Sequence, residues 1–146
     1  MTRHRKEESD VRGVYAILDL DVLTAAKSDP FIFALRVIEH RPAALQVRAK
    51  NAPVRDVLAL LEQLAPVCRK AGVPLVNNDR VDIAMAGRCD MVHLGQDDMP
   101  IEAARNLGTI GIGLSTHNPD QLARALESRP DYVAYGPVFA TSSKKN

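Results

Sequence analysis

Residues 73–95 read VPLVNNDRVDIAMAGRCDMVHLG, and their pattern decides the fold. Two short apolar runs, at 73–78 and 91–95, enclose a helix-forming stretch, DRVDIAMAG, that ends at Gly87. Short apolar runs bounded by turn residues predict buried strands. A strand, a short helix and a second strand joined by such short loops predict a right-handed crossover between parallel strands.

The same alternation extends outward from this unit in both directions, beginning at Val14. Four further apolar runs predict strands: VYAILD (14–19), ALQVRA (44–49), IGIGLS (110–115) and YVAYGPV (132–138). The result is six strand–helix steps, of which the sixth ends before its helix. We therefore predict an α/β fold with six parallel strands in a single domain, 13–146. Such a sheet is covered by helices and binds ligands beyond the carboxyl ends of its strands.

Two of the intervening helices have recognisable ends. Apolar residues recur every three or four positions from Val54 to Cys68, which predicts an amphipathic helix. We expect Asn51 to cap its start and Gly72 to follow its end. The sequence NPDQ at 118–121 predicts the start of another helix. Its asparagine is the expected cap, its proline takes the first helical position and its glutamine closes a capping box.

The composition excludes several classes of protein. The chain has 146 residues, 46% hydrophobic and 25% charged, which is typical of a folded globular domain. Its 19 Lys and Arg balance 18 Asp and Glu, so no charge surplus indicates a nucleic-acid or membrane partner. Cys68 and Cys89 lack zinc-binding spacing, which favours a reducing, cytoplasmic location. No apolar run approaches the roughly 18 residues of a membrane span. Residues 1–12 lack a signal segment and predict a disordered tail.

The second predicted strand ends in polar side chains. In ALQVRAK, at 44–50, alternation places Gln46, Arg48 and Lys50 on one face and apolar residues on the other. A half-exposed antiparallel strand would also accommodate this pattern. In a parallel sheet buried on both faces, however, unpaired cations are costly. An anion-binding site is therefore the better interpretation.

Amides and carboxylates end the next two strands. Asn78 and Asp79 follow the third strand, and Asp98 follows the fourth in GQDD at 95–98. Each of these residues could instead cap the helix that comes after it. Two carboxylates on neighbouring strand ends, facing the cations of the second strand, are typical partners of a phosphate-bound Mg²⁺. Caps explain these residues one by one, whereas a magnesium–phosphate site explains them together.

Hydroxyl groups and a lysine end the last two strands. Ser115 ends the fifth strand, just before the predicted helix cap. His117 is more typical of a surface histidine than of a catalyst, and we expect His93 to be hydrogen-bonded in the core. The final stretch, GPVFATSSKKN at 136–146, carries three hydroxyls and Lys144 at the ligand end of a strand.

Together these motifs resemble one protein family. QVRAK, NND, HLGQDD, GLSTH and YGPVFATSSK are similar, in order and spacing, to the motifs of thiamine phosphate synthase. The resemblance implies a TIM-type (βα)8 barrel, with about six βα units present in this chain and the two C-terminal strands missing. It also implies a Mg²⁺-dependent transferase of thiamine biosynthesis. Such an enzyme condenses 4-amino-2-methyl-5-(diphosphooxymethyl)pyrimidine with 4-methyl-5-(2-phosphoethyl)thiazole, giving thiamine phosphate and pyrophosphate.

The resemblance implies a role for each motif residue. The residues expected to bind the pyrimidine pyrophosphate are Gln46, Arg48, Lys50, Asn78, Ser115 and Lys144. Of these, Ser115 and Lys144 are also the expected catalytic residues. Thr141 and Ser143 are expected to bind the thiazole phosphate, and Asp79 and Asp98 the Mg²⁺. Asp97 is expected to point to solvent or to a cap. Two departures from the family pattern, Ser143 in place of Thr and Ala140 in place of Pro, look tolerable.

Several alternatives stay open. A complete barrel would need about 40–60 further residues, so we expect the chain to be truncated at its carboxyl end, without the main phosphate loop. The related thiazole tautomerase shares the GPVF region but has no need of a metal carboxylate, so Asp98 argues for the synthase. A truncated, inactive barrel that only binds a phosphate ligand or a partner protein is the other alternative. Phosphorylated small molecules are the expected ligands, and a homo-oligomer is left open.

Overall fold

The structure, a computed structural model, describes residues 12–140. Within that range six strands form one sheet in chain order, and every neighbouring pair is parallel. The strands are β1 (Tyr15–Asp19), β2 (Ala44–Arg48), β3 (Leu75–Asn78), β4 (Met91–Leu94), β5 (Gly111–Thr116) and β6 (Tyr132–Tyr135). The predicted α/β class and six parallel strands are confirmed, and the sheet forms a half-barrel. An eight-unit barrel with missing final strands stays a prediction.

Helices connect the strands in the crossovers that the sequence predicts. They are α1 (Leu20–Ala25), α2 (Pro30–Glu39), α3 (Val54–Ala71), α4 (Val81–Ala86), α5 (Ile101–Leu107) and α6 (Pro119–Glu127). Both α1 and α2 lie between β1 and β2, and sequence reasoning assigns neither. Among the described residues, no helix has the length and apolar character needed to cross a membrane. Of the predicted disordered tail, 1–12, only Arg12 belongs to the described residues.

The core lies between the sheet and its helices. On β2, Leu45 and Val47 are fully buried in the same apolar cluster as Leu61 and Leu64 of α3. Full burial of such a side chain contributes roughly 1.5–3 kcal/mol to folding. Gln46, between Leu45 and Val47, is directed to the opposite face and is only 3% exposed. The alternation of β2 therefore directs apolar side chains to the helices and polar ones to the inner face of the sheet.

The structure confirms the predicted C-terminal end of α3 but not its predicted N-cap. Gly72 follows the helix with φ at 70°, the left-handed conformation expected of a C-terminal glycine. The predicted Asn51 cap is wrong. The N-cap is Pro53, which directly precedes Val54, and Asn51 lies too early in the chain to reach the first turn. The Asn51 amide instead donates to Asp21 Oδ2 at 3.0 Å, which ties the loop to α1.

The start of α6 follows the prediction with one change. Asn118 Oδ1 accepts a hydrogen bond from the backbone N–H of Gln121 at 2.9 Å, and Pro119 takes the first helical position. Gln121 Oε1 accepts from the N–H of His117 at 2.8 Å, rather than from the N–H of the cap itself. The reciprocal bond therefore anchors the residue that follows β5 and brings it to the ligand end of the sheet.

Candidate active site

A cavity of about 1030 Å³ opens at the carboxyl ends of the strands and extends along the inner face of the sheet. Parallel sheets bind their ligands at this end. Within residues 12–140, every residue predicted for the site lines this cavity: Gln46, Arg48, Lys50, Asn78, Asp79, Asp98 and Ser115. The fold therefore brings together side chains from the ends of four consecutive strands, β2 to β5.

Arg48 is held by a carboxylate that sequence reasoning misses. Its Nη1 donates to Asp19 Oδ2 at 2.5 Å, and the two side chains are only 21% and 23% exposed. Asp19 ends β1, and its Oδ1 accepts from the backbone N–H groups of Asp21 and Val22 at 3.1 and 3.2 Å. One carboxylate thus caps α1 and orients the Arg48 guanidinium at the cavity wall. Its sequence signal is an acidic residue at the end of the first apolar run.

Lys50 lies beside the first of the predicted metal carboxylates. Its Nζ forms an ion pair with Asp79 Oδ2, with side-chain exposures of 46% and 24%. Asp79 has φ at 65°, a left-handed conformation that Asp and Asn adopt more readily than most residues. The Asp79 N–H donates to the carbonyl oxygen of His93 at 2.8 Å, which ties the end of β3 to β4. Of the two predicted cations, Lys50 therefore pairs with Asp79 and Arg48 with Asp19.

Asp98 is the neighbour of Asp79 across the strand ends. Its Oδ2 accepts from the backbone N–H of Gly95 at 2.6 Å and closes the GQDD turn. Burial raises the pKa of the Asp98 carboxyl above its ordinary value, and the adjacent Asp79 carboxylate raises it further. The Gly95 N–H and the charge of Lys50 act in the opposite direction. A cation bound beside Asp98 and Asp79 would offset the effect of burial and of the neighbouring carboxylate on the Asp98 charge.

Helix capping does not account for these polar strand ends. The N-caps of α4 and α5 are Arg80 and Pro100, and neither helix has a side-chain cap. The alternative that Asn78, Asp79 and Asp98 cap helices is therefore wrong, because the chain continues past each of them before the helix begins. Their side chains instead line the cavity.

The inner wall of the cavity carries a continuous series of hydrogen bonds. Gln46 Nε2 donates to the Tyr15 hydroxyl at 2.8 Å, and the hydroxyls of Tyr15 and Tyr132 lie 2.7 Å apart. The Tyr132 hydroxyl is 2.8 Å from His93 Nδ1, and His93 Nε2 is 2.7 Å from Ser115 Oγ. His93 is buried and hydrogen-bonded, as predicted. Sequence reasoning misses Tyr15 and Tyr132, whose signal is a tyrosine near the start of two strand-forming runs.

Residues 14–146 match the family model described as thiamine monophosphate synthase. The chain belongs to this family. The resemblance that the motifs indicate is therefore confirmed, and the match covers all six strands and the cavity between them.

Several known proteins resemble this member of the thiamine monophosphate synthase family. A protein of Chlorobium luteolum named thiamine-phosphate synthase is 41% identical over 127 residues, which are 86% of this chain and 60% of that protein. One of the same name from Roseiflexus is 42% identical over 136 residues, 90% of this chain and 56% of that protein. A solved thiamine phosphate pyrophosphorylase from Pyrococcus furiosus has a TM-score of 0.75 and 31% identity, covering 86% of this chain and 61% of that one. The chain thus spans less than two thirds of each of them.

Two further hydrogen bonds, made by Gln96 and His117, lie at the rim of the cavity. Gln96 Nε2 donates to the carbonyl oxygen of Ser115 at 2.6 Å. His117 Nδ1 lies 2.5 Å from the carbonyl oxygen of Gly136, so this nitrogen carries the proton, since a carbonyl can only accept. The predicted site residues Thr141, Ser143 and Lys144 lie outside the described residues, and their roles stay predictions.

Proposed function

We propose that the protein to which this chain belongs is a thiamine phosphate synthase. It would join 4-amino-2-methyl-5-(diphosphooxymethyl)pyrimidine to 4-methyl-5-(2-phosphoethyl)thiazole and release pyrophosphate. The observation that carries the proposal is the cavity in which seven motif residues meet, with cations beside paired carboxylates. The names of the Chlorobium luteolum and Roseiflexus relatives support it.

Four side chains are proposed to bind the pyrophosphate of the pyrimidine substrate. The Arg48 guanidinium and the Lys50 ammonium supply positive charge, and charged donors form stronger bonds to phosphate oxygens than neutral ones do. The Asn78 amide and the Ser115 hydroxyl add neutral donors along the same wall. Gln46, at the buried end of the cavity, is proposed to bind the pyrimidine ring.

Asp79 and Asp98 are the proposed ligands of Mg²⁺. Among the described residues, no group of three or more His, Cys, Asp or Glu could hold a metal ion. Mg²⁺ does not require such a group, because it keeps several waters and binds through one or two carboxylates and substrate phosphates. Besides burial, the Asp79 carboxylate raises the pKa of Asp98, and a cation between the two carboxyl groups would relieve this effect, which fits this donor set. When bound, Mg²⁺ would supply positive charge beside the pyrophosphate.

The proposed chemistry requires no general base. The bond between the pyrimidine methyl carbon and the pyrophosphate oxygen breaks first, and pyrophosphate leaves with the electron pair. Ring electrons stabilise the resulting cation, and the thiazole nitrogen then forms the new carbon–nitrogen bond with its lone pair. The protein neutralises the charge that develops on the leaving group and orients the two substrates. Arg48 and Lys50 are suited to the first task, since both flank the cavity as cations.

The thiazole half of the site rests on the motif resemblance. Thr141 and Ser143 are proposed to bind the thiazole phosphate, and Lys144 to bind and stabilise the departing pyrophosphate as a catalytic residue with Ser115. Neither the tautomerase nor an inactive barrel is favoured as an alternative. The relatives named above are synthases or pyrophosphorylases, and Asp98, which the tautomerase would not need, lies beside Asp79.

Calorimetric titration with inorganic pyrophosphate, in the presence and absence of Mg²⁺, tests the site directly. We expect binding that depends on Mg²⁺ and that Asp79→Asn and Asp98→Asn each weaken by about tenfold or more, because each removes a charged ligand. Asp97→Asn is the matched control, since Asp97 is the exposed neighbour of Asp98 in GQDD. Binding that is indifferent to Mg²⁺, or to Asp79→Asn, would refute the metal role. Formation of thiamine phosphate from the two substrates tests the reaction itself.

A further inference from the structure

The five side chains of the inner wall form one unbroken chain of hydrogen bonds. In order they are Gln46, Tyr15, Tyr132, His93 and Ser115, and each contact measures 2.7 or 2.8 Å. The proposed function uses only its ends, because Gln46 and Ser115 are the members expected to contact substrate. Of the three middle residues, His93 is buried and the two tyrosines are half-buried; all three line the cavity, and the proposed function gives none of them a role.

The Gln46 amide sets the direction of this chain. Its nitrogen can only donate, so the Tyr15 oxygen accepts and the Tyr15 proton is directed to Tyr132. Tyr132 then donates to His93 Nδ1, which leaves the ring proton on Nε2, where it is donated to Ser115 Oγ. Every other assignment with this amide orientation leaves a tyrosine proton without an acceptor in the chain.

We propose that Tyr15, Tyr132 and His93 are positioning residues that hold the Ser115 hydroxyl as a donor toward the cavity. Because Ser115 Oγ accepts from His93, its own proton is available to an anionic oxygen of the ligand. The reverse direction would make Ser115 donate to His93 and present only lone pairs, which repel an anion. The identity of that anion as a pyrophosphate rests on the proposed function, whereas the direction of the chain does not.

Packing independently fixes the middle of the chain. The rings of His93 and Tyr132 are stacked, with centroids 5.6 Å apart and planes inclined by 20°. The ring of Tyr15 also packs against Tyr132, at a centroid distance of 5.7 Å with the planes inclined by 50°. Gly113 makes room for Tyr132, since a Cβ at this position would overlap the tyrosine ring. Burial also raises the pKa of both phenols, which keeps their protons available for donation.

Nitrogen NMR of the histidine rings tests the direction. In the ¹⁵N-labelled protein the His93 resonances are assigned by their loss in His93→Gln. We expect the neutral tautomer with the proton on Nε2 in the wild-type protein. A proton on Nδ1, or on both ring nitrogens, would overturn the proposal, because either state prevents Nδ1 from accepting from Tyr132. This measurement needs neither substrate nor catalytic turnover.

A double-mutant cycle tests whether the chain acts through Ser115. The probe is inorganic pyrophosphate with Mg²⁺, and the readout is its dissociation constant. We expect Tyr132→Phe to weaken binding about five- to tenfold, the effect of losing roughly one oriented hydrogen bond. The same change in a Ser115→Ala background should have almost no further effect. Tyr135→Phe is the matched control, because Tyr135 lies on the same strand outside the chain of hydrogen bonds.

The outcomes separate this inference from the proposed function. Additive effects of Tyr132→Phe and Ser115→Ala would overturn the positioning role even if pyrophosphate binds as proposed. An Nε2–H tautomer that becomes mixed in Tyr132→Phe but not in Tyr135→Phe would support the chain of hydrogen bonds. It would do so even if the wild-type protein did not bind pyrophosphate, a result that would count against the proposed function alone.

Discussion

At the scale of single residues, Gly113 shows how one missing side chain shapes the site. It lies on β5, and a Cβ there would overlap Tyr132. We expect Gly113→Ala to lower the free energy of unfolding by about 1–3 kcal/mol, the usual effect of overpacking. In a Tyr132→Ala background the same change should instead stabilise by about 0.5 kcal/mol, because alanine restricts the unfolded chain more than glycine does. Urea unfolding of the four proteins measures both values, and an equal loss in both backgrounds would contradict this explanation.

The raised pKa values of the two cysteines predict slow thiol reactions in the folded protein. Burial, followed by the nearby charge of Asp90, raises the pKa of the Cys68 thiol to about 11 and that of Cys89 to about 12. The thiolate is the reactive form, and an unperturbed cysteine has a pKa of about 8.5. At pH 8 we therefore expect each thiol to react with a disulfide reagent at least about 100-fold more slowly in the folded protein than in urea, with Cys89 the slower of the two. Cys68→Ala and Cys89→Ala assign the two rates, and a fast reaction in the folded state would contradict the expectation.

Arg48, Lys50 and their carboxylate partners show which parts of the site can be predicted from the sequence. Alternation along the run 44–50 is enough to predict Arg48 and Lys50 on one polar side, because side-chain direction is a local property of an extended chain, although Lys50 lies just past the end of β2. The partner of each cation is not local. Asp19 and Arg48 are 29 positions apart, as are Lys50 and Asp79. The register of the sheet pairs Asp19 with Arg48, and Lys50 and Asp79 meet because they follow the neighbouring strands β2 and β3.

At the scale of secondary structure elements, Asp19 links helix α1 to the site through its two oxygens. Oδ1 caps the helix and Oδ2 accepts from Arg48. We expect Asp19→Ala to lose both contacts and to cost about 1–2 kcal/mol of stability. Asp19→Asn should keep most of the cap, and therefore most of the stability, while weakening the binding of Mg²⁺–pyrophosphate because Arg48 is no longer oriented. If Asp19→Asn binds pyrophosphate as tightly as the wild type, or more tightly, Asp19 competes for Arg48 rather than positioning it.

The helices differ in how clearly the sequence predicts them. α3 has a long apolar stripe, and its periodicity indicates the helix despite the wrong choice of cap. α1 has only six residues, too few for a periodic pattern. α2 does carry a start signal, since Asp29 caps it through a bond to the N–H of Ile32 and Pro30 takes the first helical position. The same Asx–Pro signature identifies α6, so α2 could have been predicted on equal grounds.

At the scale of the whole molecule, the site follows from the parallel sheet. Because all six strands run in one direction, their carboxyl ends meet at one edge, and polar residues far apart in sequence converge there. Strand direction is predictable from short loops and alternating elements, so the location of the site is predictable as well. The hydrogen bonds of the inner wall are not, because they depend on ring packing across β1, β4 and β6 that no local pattern encodes.

Because the cavity is formed by strand ends from across the whole sheet, ligand binding should stabilise the whole fold. The cavity exists only in the folded chain, so a ligand at 100 times its dissociation constant should stabilise the fold by about 2.7 kcal/mol. For a chain of 146 residues this corresponds to a rise in Tm of about 8–10 °C. We expect Mg²⁺–pyrophosphate to produce such a rise in the wild-type protein, measured by thermal unfolding.

Lys50→Met separates this ligand effect from the stability of the unliganded protein. The Lys50–Asp79 ion pair is partly exposed, with 46% of the Lys50 side chain accessible, and such pairs contribute about 1 kcal/mol or less. The Tm of Lys50→Met without ligand should therefore change by only a few degrees, whereas the rise caused by Mg²⁺–pyrophosphate should largely disappear. Arg80→Met is the control, because Arg80 pairs with Asp82 on the surface outside the cavity. A full ligand-induced rise in Lys50→Met would mean that pyrophosphate is bound without Lys50, and that the cation-lined wall of the cavity is not its binding site.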